Sequence, residues 1–334
     1  MNNKDLLFDK IYNDDCITAL KSCLDKRKDQ SKAVVSHKFV FVCGSMLNSF
    51  ANESLKGSYL TSDNRGFIRR YILSKNPTIH VVYSERLFEQ NSKVDLLTFE
   101  EFLAEISDLI ILPIESAGTI CELGAFAHSE GLLTKKLLVI VDNEYKDADS
   151  FIVQGPVRKV ANSKAKVIYA PVNAGTILTS ELTAFIDERL AVFKQPRRQD
   201  NFHRLNPSNI GTNTLYLNSF IHELIELMQV ASPISQGNAF KLYKKIKDID
   251  SRLQFVKSNG EQFHKQITQQ MIFKLLKDAG IIRQVEEDLY SSCEPLSNEN
   301  LFLFQEEERI HKKLENQRLS MLSRIRKHKK EMCL

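Results

Sequence analysis

Several features are missing from this 334-residue chain, and each absence removes a class of function. No stretch approaches the roughly 18–20 unbroken apolar residues of a membrane-spanning helix, so no membrane contact is expected. The first twenty residues, MNNKDLLFDKIYNDDCITAL, lack the basic-then-apolar order of a signal peptide, which predicts a cytoplasmic chain. The six cysteines (16, 23, 43, 121, 293 and 333) form no CxxC pair and do not cluster with histidine. Free, mostly buried thiols are expected, with no metal site and no disulfide framework. Cys121, beside Glu122, lies nearest to suspected chemistry and reads as packing. No GxGxxG is present, which disfavours hydride transfer from a dinucleotide, and no GxxxxGK(S/T), which disfavours P-loop phosphoryl transfer. There is no internal repeat.

What is there belongs to a globular protein: 43% hydrophobic and 26% charged residues, in a chain long enough for two cores. The net charge of +4 is unevenly placed. From Arg309 to Leu334 nine Lys/Arg stand against two Glu, a net of +7, so the preceding 308 residues sum to −3. Such a basic tail suits an anionic partner, nucleic acid first, or simply a solvated terminal helix.

Residues 1–34 form an N-terminal segment whose first 30 residues read as an amphipathic helix. Between 35 and 195 strands alternate with helices: strands at 39–43, 79–83, 109–114, 137–141 and 166–170, and helices at 66–75, 98–107, 119–131 and 179–193. The 98–107 helix is expected to open on a Thr98…Glu101 capping box. Short strands that are apolar on both faces predict buried parallel pairing, hence a doubly wound α/β domain. A polar linker follows at 196–213, and then a mostly helical region at 214–305, with helices at 215–229, 238–249 and 265–280. The last of these runs into IIRQV (281–285), as in winged-helix domains passing from recognition helix to wing. A basic helix closes the chain over 306–334.

Open parallel sheets bind ligands beyond the carboxyl ends of their strands. Those ends carry Gly44-Ser45, Tyr83-Ser84-Glu85, Glu115-Ser116-Ala117-Gly118-Thr119 and Asp142-Asn143. Gly44-Ser45 would let backbone amides approach a phosphate or ribose, and Gly118-Thr119 opens a helix whose dipole favours an anion. Glu122, one turn in, can attack an anomeric carbon or stabilise an oxocarbenium-like transition state. Thr119-x-x-Glu122 fits a capping box equally well, with no chemistry implied. Glu115 is a second pocket carboxylate or a loop residue, and Asp108 a ligand-hydroxyl acceptor or a turn residue. Arg69, Arg70 and Arg158 either meet a phosphate or lie on a solvated face.

SDLIILPIESAGTICELGAFAHSEG (107–131), followed by KKLLVIVDNEYKDADSFIVQGPVRKV (135–160), resembles the nucleoside 2-deoxyribosyltransferase-like effector toxins of bacterial retrons. The specific part is the string from Glu115 to Phe126, and the likeness extends over residues 37–160. Gly-Thr-x-x-Glu is also similar to nucleotide phosphoribohydrolases, although Glu115-Ser116-Ala117 departs from their loop. Tyr83-Ser84-Glu85 stands where the effector family has Tyr-Pro-Glu. The resemblance implies that Glu122 is the nucleophile; Glu115 and Asp108 stand beside it as further candidate catalytic acids. The strand-end loops offer Gly44, Ser45, Tyr83, Glu85, Ser116, Gly118 and Thr119 as candidate substrate-binding residues. The resemblance further implies N-glycosidase chemistry with NAD+ as the expected substrate and no resident cofactor. The expected role is a toxin of anti-phage defence, bound by a retron reverse transcriptase and its RNA-linked single-stranded DNA (msDNA), as a homo-oligomer or higher assembly. For the nucleic acid, Lys241, Lys244, Lys245, Lys247, Arg324, Arg326, Lys327, Lys329 and Lys330 supply the cationic side chains. The rival reading is a nucleotide-sensing DNA-binding regulator without turnover.

Overall fold

The computed structural model describes residues 8–24, 37–44, 64–87, 94–129, 136–172, 177–193, 214–263, 267–296, 303–305 and 307–332. Two compact units form, one from Met1–Ser36 together with Pro196–Leu334 and the other from His37–Gln195. The first described long helix, α1 (Asp14–Cys23), lies in the former.

The His37–Gln195 unit runs β1 (Lys38–Val42), α2 (Asn64–Lys75), β2 (Ile79–Val82), a single turn α3 (Ser84–Leu87) and α4 (Leu96–Ile106). It continues with β3 (Leu109–Pro113), α5 (Ala117–His128), β4 (Leu137–Asp142), α6 (Arg158–Ala161), β5 (Lys166–Ala170) and α7 (Ser180–Phe193). A π-helical turn at Val153–Val157 leads into α6 and holds Pro156. The strands form one sheet in the order β2-β1-β3-β4-β5, with every pairing parallel. Every residue of β1, β3 and β4 is buried, the consequence of helices covering both faces. Val40, Val42, Leu109, Ile111, Leu138 and Ile140 point to one face, against Ile68 and Ile72 of α2 and Leu182, Ile186 and Leu190 of α7. On the other face Phe41 meets Phe126 of α5 edge to face, with ring centroids 6.5 Å apart.

The expected capping boxes are drawn differently. Helix α4 begins at Leu96, and its N-cap is Asp95, which accepts a hydrogen bond from Thr98 N at 2.8 Å. Thr98 is therefore the third residue of the helix, because an aspartate upstream captures its amide first.

In the other unit, β6 (Thr214–Tyr216) precedes α8 (Leu217–Ala231), β7 (Ile234–Ser235), α9 (Gln236–Ile246) and β8 (Gln254–Val256). Then come α10 (Gln269–Asp278), the antiparallel pair β9 (Ile282–Glu286) and β10 (Leu289–Ser292), and the long α11 (Glu308–Met332). The three-stranded sheet has the order β7-β10-β9. Helix α11 is highly charged but buries Ile310, Leu314, Met321 and Ile325, a stripe at helical spacing that packs on α1 and α8. The N-terminal helix and the basic terminal helix thus share one core with the middle helices. Among the described residues no helix is long and apolar enough to cross a membrane.

Candidate active site

In a sheet of order 2-1-3-4-5 the connections leave β1 and β3 in opposite directions, opening a crevice at their carboxyl ends. Gly44 follows β1 and Glu115 follows β3, so both stand at that crevice. The space is close: a Cβ at Gly44 would lie 2.7 Å from Arg65 Cδ and 2.8 Å from Glu115 Oε1, and its φ is +151°. Glycine is required there because two polar side chains converge on the backbone.

Helix α5 shows what Glu122 is not. The N-cap is Ser116: its Oγ accepts from Thr119 N at 3.3 Å, and Thr119 Oγ1 accepts from Ser116 N at 3.0 Å. Thr119 Oγ1 also accepts from Glu115 N at 3.0 Å. Ser116 and Thr119 complete the capping box between themselves, so Glu122 has no capping duty. Its carboxyl lies in a partly buried cluster with Cys43, Glu100, Glu85 and Arg65, and Oε2 is buried with no hydrogen-bond partner. Burial, first, raises its pKa; hydrogen bonds from Cys43 and Glu100 oppose the rise, the Glu85 charge adds to it and Arg65 lowers it.

Around Glu122 the other acids are engaged. Arg65, fully buried, donates through Nη1 to both oxygens of Glu85 at 2.8 and 2.9 Å, and its guanidinium lies 5.5 Å from the Tyr83 ring centroid. Asn64 Nδ2 donates to Glu115 Oε2 at 2.7 Å and to the Val172 carbonyl at 2.9 Å. Glu100 is 5% exposed; burial, then the Glu122 charge, pushes it up to about 8. Cys43 is held well above the usual thiol range by burial and then by Glu122. The thiol beside the chemistry is Cys43, therefore, and not Cys121, which is exposed.

The structure thus gathers Glu122, Glu115, Gly44, Tyr83, Glu85, Ser116 and Thr119 at one sheet edge, with Gly118 exposed in the first turn of α5. Ser45 lies outside the described residues. Asp108 is not brought to this edge. It precedes β3, and its Oδ2 accepts from Phe39 N at 3.0 Å, pinning the start of β1. A five-residue strand, roughly 16 Å long at the usual rise, separates it from Glu115. Sequence reasoning missed Asn64, Arg65, Glu100 and Cys43, having weighed Arg69 and Arg70 instead. The signal for the first two was their place at the very start of the crossover helix, next to the strand end.

Most of the expected nucleic-acid lysines are engaged within their own unit. Lys241, Lys244 and Lys245 join Lys21 around a cleft of about 670 Å³ that also carries Asp9, Asp14, Asp248 and Asp250. Lys21 pairs with Asp248, Lys245 lies 3.5 Å from Asp9, and Lys244 donates to the Asp250 carbonyl at 3.4 Å. Four aspartates offset four lysines there, so the cleft is no cationic patch. Lys247 meets Glu223 at 2.8 Å, on a carboxylate that also accepts from Tyr243. Arg324 Nη1 donates to the Ile11 carbonyl at 2.9 Å and to Asn13 Oδ1 at 2.7 Å, tying α11 to the start of α1. Arg326, Lys327 and Lys330 are exposed, and the side chain of Lys329 lies outside the described residues.

A parallel α/β unit with a carboxyl-rich site at its strand-order switch point, joined to a helical unit carrying a β-hairpin, is the class that fold and site define. Comparison with known proteins narrows it. The chain belongs to the STM3845 retron effector family, which matches residues 61–284 and so includes Glu85, Glu115 and Glu122. It is 39% identical over 100 residues, 29% of the chain, to the retron Ec86 protein of Escherichia coli, named as a candidate ribosyltransferase and DNA-binding protein. It is 32% identical over 146 residues, 43% of the chain, to the similarly named retron Ec73 protein of Escherichia coli. The matched stretches span 32% and 44% of those two curated relatives.

Proposed function

We propose that the His37–Gln195 unit cleaves the N-glycosidic bond of a nucleotide, NAD+ above others, as the toxic activity of a retron defence effector. The observation that carries this reading is Glu122: a carboxylate at the switch point, released from capping, with one oxygen buried and unpartnered. Leaving a buried acceptor unsatisfied costs about 1–3 kcal/mol, so such an atom implies a use. In the proposed reaction Glu122 Oε2 bonds to C1′ as the C1′–N bond breaks, its electron pair neutralising the departing nicotinamide. Water then attacks C1′, the C1′–O bond returns its pair to Glu122, and the water's proton passes to solvent. The names of the two relatives, with ribosyl transfer in both, support this chemistry.

For the second unit we read the order helix, strand, helix, strand, helix and hairpin, with sheet order β7-β10-β9, as winged-helix-like. Arg326, Lys327 and Lys330 supply its contacts to the phosphates of msDNA, in an assembly with the retron reverse transcriptase that holds the enzyme inactive until infection.

The test is base release from NAD+ and from a panel of nucleotides, with and without the retron partners. Wild type is expected to release nicotinamide and arrest growth when expressed unrestrained, and Glu122→Gln to do neither while remaining folded. Wild-type release no greater than that of Glu122→Gln, on every substrate, would overturn the reading, and tight nucleotide binding without turnover would instead favour a sensor.

A further inference from the structure

Asn64 stands at the crevice with one polar atom that the reaction above leaves unused. It is the first residue of α2 and is 7% exposed. Its Nδ2 donates to Glu115 Oε2 at 2.7 Å and to the Val172 carbonyl at 2.9 Å, so both amide hydrogens are spent. Those partners also fix which end of the amide is which. Turned over, it would set Oδ1 against a carboxylate oxygen and a carbonyl oxygen, an acceptor facing two acceptors. Glu115 is itself held, because its backbone N–H donates to Thr119 Oγ1 at 3.0 Å. Oδ1 is therefore aimed by its neighbours, and it is buried with no hydrogen-bond partner among the described residues.

The groups around Asn64 are those of the crevice. A Cβ on Gly44 would stand 2.8 Å from Oε1 of the carboxylate that Asn64 holds and 2.7 Å from Cδ of the next residue, Arg65. Asn64 comes to this edge on α2, from one face of the sheet, and Glu122 on α5, from the other. Each brings a buried acceptor that lacks a donor, Oδ1 of the one and Oε2 of the other. A phosphate or carboxylate at either atom would set oxygen against oxygen. A ligand bearing hydroxyls supplies what both atoms lack.

Resting on the proposed ribosyl chemistry at Glu122, we propose that Asn64 is a specificity-determining residue: its Oδ1 accepts a hydroxyl of the sugar's 2′,3′-diol, so the site takes ribosides in preference to deoxyribosides. An acceptor shielded from bulk water gains more from a donor than one at the surface. A sugar without that hydroxyl leaves Oδ1 unsatisfied in the complex, which is how a site built for a hydroxyl rejects the analogue lacking it.

The test reads binding rather than turnover. Full-length Glu122→Gln, which the proposed reaction leaves unable to cleave, is titrated calorimetrically with NAD+ and with analogues lacking the 2′- or the 3′-hydroxyl of the nicotinamide ribose. One analogue is expected to bind roughly 10–10²-fold more weakly than NAD+. Adding Asn64→Leu also removes the bonds to Glu115 and Val172 and so weakens every ligand. The quantity that decides is the ratio of affinities, which should fall to near one. A purely structural Asn64 would weaken all three ligands equally and leave the ratio unchanged, and that result would overturn the assignment. Equal affinity for NAD+ and both analogues with Asn64 intact would overturn it too, as would binding of none of them; neither result depends on Asn64→Leu folding. Discrimination without base release by wild type would keep the assignment and end the glycosidase reading. Base release without discrimination would do the reverse.

Discussion

Gly44 is the most sharply determined position in the α/β unit, and replacing it by alanine tests the packing of the whole site. The added methyl would sit 2.7 Å from Arg65 Cδ, 2.8 Å from Arg65 Cγ and 2.8 Å from Glu115 Oε1. None of these atoms can yield cheaply. Arg65 is fully buried and clamped on both oxygens of Glu85, and Glu115 is held by Asn64. Overpacking of this kind costs about 1–3 kcal/mol. The φ of +151° adds about 1–2 kcal/mol for a residue bearing a Cβ. The total of roughly 2–5 kcal/mol corresponds to a fall in Tm of roughly 4–20 °C for a domain of this size. Gly124 is the control: in α5 its Cβ would meet nothing within 4 Å, so Gly124→Ala is expected to be neutral or stabilising by up to about 1 kcal/mol. Calorimetric unfolding of wild type, both single variants, Arg65→Ala and the Gly44→Ala/Arg65→Ala double variant completes the cycle. In the Arg65→Ala background the cost of Gly44→Ala should shrink to the backbone part and the remaining contact with Glu115. An unchanged Tm in Gly44→Ala, or an equal cost in both backgrounds, refutes the reasoning.

Asp108→Ala should destabilise the unit by about 1–3 kcal/mol through loss of the bond from the buried Phe39 amide, while turnover per folded molecule stays at the wild-type value. A loss of kcat without a loss of stability would return Asp108 to the catalytic group. In the other unit, Arg324→Ala should lower Tm by removing the bonds to Ile11 and Asn13, leaving the salt dependence of single-stranded DNA binding almost unchanged. Joint replacement of Arg326 and Lys327 by alanine should do the reverse, reducing the salt slope by about 1–2 in a titration at several ionic strengths.

Both outcomes bear on what a sequence can carry. The strands of the α/β unit were legible almost to the residue, because a buried parallel strand must be a short apolar run and little else in the chain is. Glu115 and Glu122 were legible because they follow β3 directly, so locating the strand also located the loop. Arg65 and Glu100 were not, because each reaches the site from a helix whose approach is settled by packing across the sheet. Glu100 in particular stands beside Glu101 in FEEF, and only the fold shows that one of the two is buried and the other half-buried. The caps failed for a local reason. Thr119 and Thr98 each look like an N-cap, but Ser116 and Asp95, three residues earlier, accept their amides and start the helices sooner. The pairing of the α9 lysines was hidden for a global one: Lys245 meets Asp9, more than two hundred positions away, and Lys244 the Asp250 carbonyl in the turn after α9.

The arrangement of acids explains how one oxygen is singled out. Glu85 is neutralised by Arg65, whose Nη1 donates to both of its oxygens, and Glu115 is fixed by the amide of Asn64. Glu100 is buried within the apolar stripe of α4. Among the described acids at this sheet edge Glu122 alone carries an oxygen that is buried and has no partner. On the proposed reaction, pairing is what would confer selectivity: each neighbour given a partner lowers the competing negative potential and fixes a wall of the crevice. The oxygen left over holds an unfavourable free energy that the folded core sustains, because the sheet beneath it is closed on both faces. On the proposed reaction, an electron-poor carbon brought to Oε2 would relieve that cost in the transition state, where the developing positive charge on the sugar meets the one buried carboxylate oxygen there without a hydrogen-bond partner.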